Sequence, residues 1–566
     1  MNNARLVILV GAVAAYLSQG ATGALVSGQE PAPELILHNG KIVTVDAAFS
    51  YAQAVAIRAG RFVAVGTNDR VRKVAGPATR VIDLGGRTVV PGLADNHLHG
   101  AGGGPGVDLS RTRTMADVLA AIGERVKGAA PGDIIVTNSD WHEAQLREQR
   151  LPLRRDLDTV APVHPVVVVR GGHEYILNSA ALRRWNVSET TKVPGGGRIS
   201  RYADGTLNGE LVDAAKSLVT LPVAGERSLD ERIRERAADY QKLHAAGLTS
   251  VRHPGISPEE YRLLAEMKRR GLLTMRVSAL LRPERDADPV RVGEALAGAG
   301  MKPGDGDEWL RIAGIKLGVD GGFEGGLMRD SYAGEFGEGG TFRGLQTTPT
   351  ARYVAMVKAL NRGGWRVFTH AVGDAAIDLV LDAYETADAE KPIAGQRWGI
   401  EHAFIARDDQ FPRMKKLALG ISAQNHLYLA GPSLVKYWGA ERAARTTPMR
   451  AFLDAGLPLS SGTDSPVVPY PPLWVIYHFV TRDTISGGVL GPGQRITRQE
   501  ALRASTVGNA WLTFEERDKG SIEPGKLADL VVLSDDIMTC PDKRIEQMQV
   551  QLTIVGGRVV FERPAS

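Results

Sequence analysis

TVVPGLADNHLH, running from Thr88 to His99, is the stretch on which the fold reading turns. Thr88–His97 is an apolar run that reads as the first strand, and the stretch closes on two histidines two residues apart. Residues at that spacing on a strand point to one face, so the imidazoles of His97 and His99 can serve a single site. Seven more short apolar runs follow: Leu248–Arg252, Met275–Leu280, Arg311–Lys316, Arg366–His370, Arg397–His402, Gly420–Gln424 and Pro458–Asp464. Helical patterns such as Pro258–Arg270, Thr350–Arg362 and Ala375–Ala387 lie between most of them. Strands alternating with helices predict a parallel α/β fold, and a (β/α)8 barrel of TIM type needs eight strands. A doubly wound open sheet is the structural alternative.

Working outward, roughly 150 residues separate the first run from the second, far more than a barrel crossover needs. Asp133–Asn138 and Pro165–Arg170 are themselves strand-like, so residues 101–245 are expected to form an inserted subdomain over the barrel mouth. The barrel then takes residues 88–100 and 246–518. Before it, Leu35–Val45, Gln53–Val65 and Arg80–Thr88 are apolar runs broken by Asn-Gly, Ala-Gly and Gly-Gly, which are hairpin signals. Leu530–Leu533 and Gln551–Phe561, with Gly556-Gly557 at the turn, share that texture. Residues 34–87 and 519–566 are therefore expected to build one small β-sandwich from both ends of the sequence.

The 566 residues are 43% hydrophobic and 23% charged, a globular balance, and 65 glycines without a Gly-X-Y period fit many tight turns rather than collagen. The net charge of +4 is scattered, with no basic stripe or aromatic reading motif, so no nucleic-acid partner is expected. Cys540 is the only cysteine, which excludes an intramolecular disulfide and a cysteine-held zinc. Arg5, the twelve apolar residues Leu6–Leu17 and the small residues up to Ala24 read as an export signal over residues 1–24, too short to span a bilayer. A buried helix is the other reading of that stretch. A periplasmic or secreted protein acting on a small molecule, with no membrane span once the signal is removed, is the expectation. Oligomeric state is left open.

Barrel enzymes carry their sites at the carboxyl ends of the strands. His97 and His99, Lys316, His370, His402 and Asp464 end strands one, four, five, six and eight. Singly, each has an ordinary structural reading. A His-X-His arises by chance, His370 and His402 could be satisfied core or cap histidines, Lys316 a snorkelling strand end and Asp464 a turn residue. Their joint placement is what those readings leave unexplained.

Val90–His99 resembles the first-strand motif of the amidohydrolase superfamily. Ile315–Gly321 (IKLGVDG), Thr369–Asp378 (THAVGDAAID), Ile400–Ala403 (IEHA) and Ser461–Val467 (SGTDSPV) resemble its later motifs in order. The wording is similar to amidohydrolase family 3, the branch containing N-substituted formamide deformylase. Gly172–Leu182 (GHEYILNSAAL) and the GSIEPGKLADLVVL run at residues 520–533 match that branch too. The resemblance implies that His97 and His99 bind a first metal. Lys316, carboxylated by carbon dioxide, would bridge two metals, His370 and His402 would bind the second, and Asp464 would be the last ligand of the first and the proton-transfer group. Asn96 and Thr463 depart from residues common in the branch, which bears on substrate preference rather than chemistry.

The chemistry is consistent with that assignment. Carboxylation turns a repelling ammonium into an anionic oxygen donor. Imidazole with carboxylate oxygen suits zinc first, and manganese, cobalt or nickel next. A metal-bridging hydroxide would then be the nucleophile, with Asp464 as general base and then general acid at a non-peptide C–N bond of amide or formamide type. His173, Asn178, Trp141 and His142 in the insert are the substrate-side candidates, although the same four could simply hold the insert together. A mononuclear deaminase, which needs no modified lysine, and a non-catalytic barrel scaffold are the alternatives.

Overall fold

The computed structural model describes residues 31–564 apart from 223, 224, 226 and 285, so the signal-like residues 1–24 lie outside the described residues. Eight parallel strands form one sheet in the order Leu93–Asp95, Leu248–Ile256, Arg276–Leu281, Leu310–Gly318, Val367–Ala371, Gly399–His402, Gly420–Gln424 and Leu459–Gly462. The last strand returns to the first through Asn96 N–H to Ser461 O at 3.2 Å and Asp464 N–H to His97 O at 2.7 Å. Helices on the outside connect the strands, the arrangement of a (β/α)8 barrel.

Local sequence explains these connectors. Pro258–Arg269 starts behind Ser257, whose hydroxyl accepts the Glu260 N–H while Glu260 reaches back to the Ser257 N–H. With Pro258 at the first helical position, this capping box fixes where the helix begins. Leu263, Leu264 and Met267 then fall on one face and are buried against the strands.

One boundary differs from the sequence expectation. The run Thr88–His97 is two strands, not one. Thr88–Pro91 belongs to a six-stranded sheet with Lys41–Val43, Tyr51–Ala52, Leu530–Leu533, Val550–Val555 and Arg558–Glu562, and only Leu93–Asp95 enters the barrel. Gly92 is the crossing point: a Cβ there would collide with the Thr249 side chain and come within 2.9 Å of Asp529 Cβ. The six-stranded sheet faces a four-stranded one made of Leu35–His38, Ala54–Arg58, Arg61–Gly66 and Arg80–Asp83. Leu37, Ile57, Phe62, Val89, Val532 and Ile554 fill the space between, so segments from both ends of the sequence make one sandwich. Its last hairpin turns at Gly556 and Gly557, with φ of 54° and 75°, the paired left-handed geometry of a tight hairpin turn.

The insert carries its own five-stranded sheet, in the order Gly197–Arg201, Leu207–Asp213, Glu174–Leu177, Val166–Arg170 and Ile135–Val136. A buried guanidinium pins it to the barrel. Arg170 Nε lies 3.0 Å from both Glu143 Oε2 and Glu174 Oε2 within the insert. Its Nη1 and Nη2 reach Glu324 Oε2 at 3.1 Å, on the loop after the fourth barrel strand, and Tyr437 Oη at 3.2 Å, on the helix His426–Trp438. Among the described residues no helix is long and apolar enough to cross a membrane.

Removing one partner from a buried ion cluster leaves uncompensated charge. Arg170→Met is therefore expected to destabilise the protein by about 3–5 kcal/mol, measured as a fall in denaturation midpoint. Arg170→Lys, which keeps the charge but loses the planar fork, should fall between wild type and Arg170→Met.

Candidate active site

The polar strand ends meet at the barrel mouth. His97 and His99 stand just past the first strand rather than on it, yet both reach Asp464: their Nε2 atoms lie 3.3 and 3.1 Å from its Oδ1. Nε2 of His97 also lies 3.4 Å from Lys316 Nζ. The His402 ring centroid is 4.8 Å from that of His97 and 4.6 Å from that of His370. One donor atom from each of His97, His402 and Asp464 falls within 4.8 Å of the others. All six expected ligands thus belong to one cluster, and His99 is its most exposed member.

Backbone shape contributes to this convergence. Strand alternation would set Glu401 and His402 on opposite faces. His402 instead adopts a φ of 74°, in the left-handed region, and both side chains reach toward His97. Asp464, at the end of the last strand, has a φ of 65°. Left-handed non-glycine residues are uncommon and cluster at functional sites.

The tautomers are set by partners on the far side of each ring. His97 Nδ1 lies 2.5 Å from Glu401 Oε2, and His402 Nδ1 lies 2.7 Å from Gln424 Oε1. Both partners accept, so each Nδ1 carries a proton and each Nε2 keeps its lone pair on the cluster side, the form a metal-binding imidazole takes. Burial and the nearby Lys316 lower the His97 imidazolium to about 4. Burial and neighbouring rings hold His370 and His402 well below the usual histidine range. Burial raises the Asp464 carboxyl, but His97, His426, His99 and His402 outweigh it and keep that group ionised. Its Oδ1 is buried without a hydrogen bond. Neutral imidazoles with free lone pairs around an orphaned carboxylate oxygen suit a divalent metal. Lys316 fits the same use: burial lowers its ammonium to about 8, bringing the neutral amine within reach.

Above the cluster is a pocket walled by Trp141, Phe323, Phe404, Val372 and Val467, with His142, His173 and Glu324 among its polar members. His173 Nδ1 pairs with Asp213 Oδ1 at 2.6 Å and its ring lies 5.3 Å from that of His370. Trp141, His142 and His173, three of the four insert residues singled out in the sequence, line this pocket. Asn178 does not. It caps the helix Ser179–Arg184, accepting from Ala181 N–H and Val166 N–H and donating to Ala161 O and His164 O. Its side chain is buried, spent on backbone groups and outside the lining of the pocket. Asp320 is likewise structural toward the site. It accepts the N–H groups of Leu327, Val372 and Gly373, with one oxygen 3.5 Å from His370 Nε2.

Sequence reasoning misses three contributors. His426 follows the seventh strand, and its Nε2 lies 3.2 Å from Asp464 Oδ2; the strand-end rule that finds the others points to it as well. Glu401 sits inside the quoted IEHA run, overshadowed by the histidine beside it. Arg252 ends the second run, and its Nη1 lies 2.7 Å from Glu401 Oε1.

The chain is similar to known proteins along most of its length. The amidohydrolase family model matches residues 80–561. N-substituted formamide deformylase of Arthrobacter pascens is 32% identical over 551 residues, covering 94% of this chain and 99% of that protein. Protein LONG AFTER FAR-RED 3 of Arabidopsis thaliana is 30% identical over 554 residues, covering 93% and 91% respectively. Among solved structures, an uncharacterized metal-dependent hydrolase from Pyrococcus furiosus superposes with a TM-score of 0.63 at 26% identity, covering 89% of this chain and all of that one. The family match takes in the insert, every barrel strand and the sandwich strands from Arg80 onward, and the chain belongs to the amidohydrolase family.

Proposed function

We propose that this enzyme hydrolyses a non-peptide carbon–nitrogen bond of amide or formamide type. The observation that carries this reading is the pair of rings, His97 and His402, whose Nδ1 protons are taken by Glu401 and Gln424 so that both Nε2 lone pairs flank Asp464. The deformylase relative, by its name, acts on N-substituted formamides, and a largely apolar pocket adjoins these rings.

His97, His99 and Asp464 would hold a first divalent metal and His370 and His402 a second, with Lys316 as a carbamate between them. Zinc is the first choice, with manganese, cobalt or nickel next. Such metals, when bound, polarise a carbonyl and make water acidic. The protein's own groups do the rest. Asp464, ionised and held through Oδ2 by His426, takes the proton of the attacking water and hands it to the departing nitrogen. Trp141 and Phe323 exclude bulk water, and His173 and His142 line the approach. The signal-like residues 1–24 support export of this activity.

A mononuclear deaminase of the same superfamily is the second reading. It is favoured by one fact: only His97, His402 and Asp464 bring donor atoms within 4.8 Å of one another among the described residues.

Metal content separates the two. Protein prepared with zinc and bicarbonate should hold about two metals per chain and lose activity on chelation, because six donors exceed the needs of one four-coordinate ion. One tightly bound metal at full activity favours the deaminase.

Lys316→Ala should lose one metal and nearly all turnover, with partial rescue by short carboxylic acids that replace the carbamate oxygens. Normal metal content and rate in that variant would remove the bridging role.

Asp464→Asn should keep the fold and lower turnover on the order of 10²–10⁴-fold, measured on an N-formyl or N-acyl substrate. Asparagine retains an oxygen donor but can neither accept nor release a proton at neutral pH.

A further inference from the structure

His142 belongs to the insert, immediately before the short turn Glu143–Gln145, and lines the cavity beside Phe323 and His426. Its protonation can be worked out atom by atom. The Ala144 N–H points at His142 Nδ1 from 3.1 Å, so Nδ1 presents a lone pair. Glu143 Oε2 also lies 3.2 Å from Nδ1, but that carboxylate is held by Arg170. A proton on Nδ1 would face the Ala144 proton. Burial lowers the imidazolium to about 3, which Glu143 offsets only in part, so the ring is neutral. A neutral imidazole with a lone pair on Nδ1 carries its hydrogen on Nε2. That Nε2 is buried without a hydrogen-bond partner.

An unmade buried donor is costly to keep, and a ring needed only for packing could be phenylalanine. Here the donor is fixed in one tautomer, on a segment tied to the barrel through Arg170, and it lines the cavity that also contains Asp464 and His402. Preorganised neutral N–H donors are what stabilise an acyl oxygen as it gains charge.

We propose that His142 is a catalytic residue whose Nε2–H hydrogen-bonds the acyl oxygen of the substrate as the carbonyl becomes tetrahedral. No proton is transferred: the imidazole is neutral before and after, and the charge gained by the oxygen is returned when the C–N bond breaks. This role rests on the hydrolase reading above.

The test compares metal-loaded wild type, His142→Phe and His142→Gln on whichever N-formyl or N-acyl compound the wild type turns over fastest. Phenylalanine keeps the ring and removes the donor, while glutamine restores an N–H. His142→Phe should lower kcat roughly 10²–10³-fold with KM nearly unchanged, the signature of an interaction made only in the transition state. His142→Gln should recover about tenfold of that loss, and metal content should match wild type in both. Wild-type kcat in a folded His142→Phe, or a rise in KM alone, overturns the proposal. Nitrogen-15 NMR of the wild-type imidazole does not depend on any variant's folding: a proton on Nδ1 overturns the proposal, and one on Nε2 supports it. Failure of the wild type to hydrolyse any amide removes the hydrolase reading and this role with it, an outcome distinct from a wild-type-like His142→Phe.

Discussion

Glu401 has no exposed surface, and the order of the centre depends on it. It ties together three strands. Arg252 from the second strand contacts both its oxygens, Ser422 Oγ on the seventh donates to Oε2 at 2.6 Å, and His97 Nδ1 meets the same oxygen. Burial alone would drive this carboxyl to take up a proton; Arg252 and His97 reverse the shift and keep it ionised. The pairing is thus mutual. Arg252 stabilises the Glu401 charge in the interior, and that charge in turn orients the His97 ring. A buried ion pair is weak evidence of stability in itself, and here its use is geometric.

The same device recurs at greater distance. Gln424 orients His402 while donating its own N–H groups to Asn96 Oδ1 at 3.2 Å and Ser422 Oγ at 2.9 Å. Residues from strands six and seven and the segment after strand one therefore share one hydrogen-bond network beneath the metal-type donors. In the insert, Arg170 does for His142 what Arg252 does for His97, holding the carboxylate next to the ring and leaving the ring itself neutral. The cavity is bounded by two rigid supports, one inside the barrel and one across the barrel–insert junction.

Much of this is legible in the sequence because the barrel repeats a simple rule. Each strand is a short apolar run, and its last residues face the mouth, so Lys316, His370, His402 and Asp464 stand out as polar ends. Thr350–Arg362 is helical over the span its pattern predicts. What resists reading is contact between distant segments. Thr88–Asp95 is apolar almost throughout, and only the steric demand of Thr249 and Asp529 on Gly92 shows that it serves two sheets. Asn178 sits in a motif-like run, but its position at a helix start, with backbone donors and acceptors on every side, gives it a different use. Glu401 acts through partners on or beside distant strands, Arg252, Ser422 and His97, which neither spacing nor periodicity reveals.

The shared strand has a consequence for synthesis. Thr88–Pro91 pairs on one side with Lys41–Val43 and on the other with Leu530–Leu533, and more than 400 residues separate those two partners. A ribosome adding about 5–20 residues per second takes roughly 25–100 s to cover that interval. Throughout it the strand that leads into the barrel has one neighbour and an open edge. The four-stranded sheet draws all its strands from residues 35–83 and can form early to shelter the apolar face. Closure of the six-stranded sheet is then a late event in the life of the nascent chain, and the segment that anchors His97 and His99 is among the last to be locked.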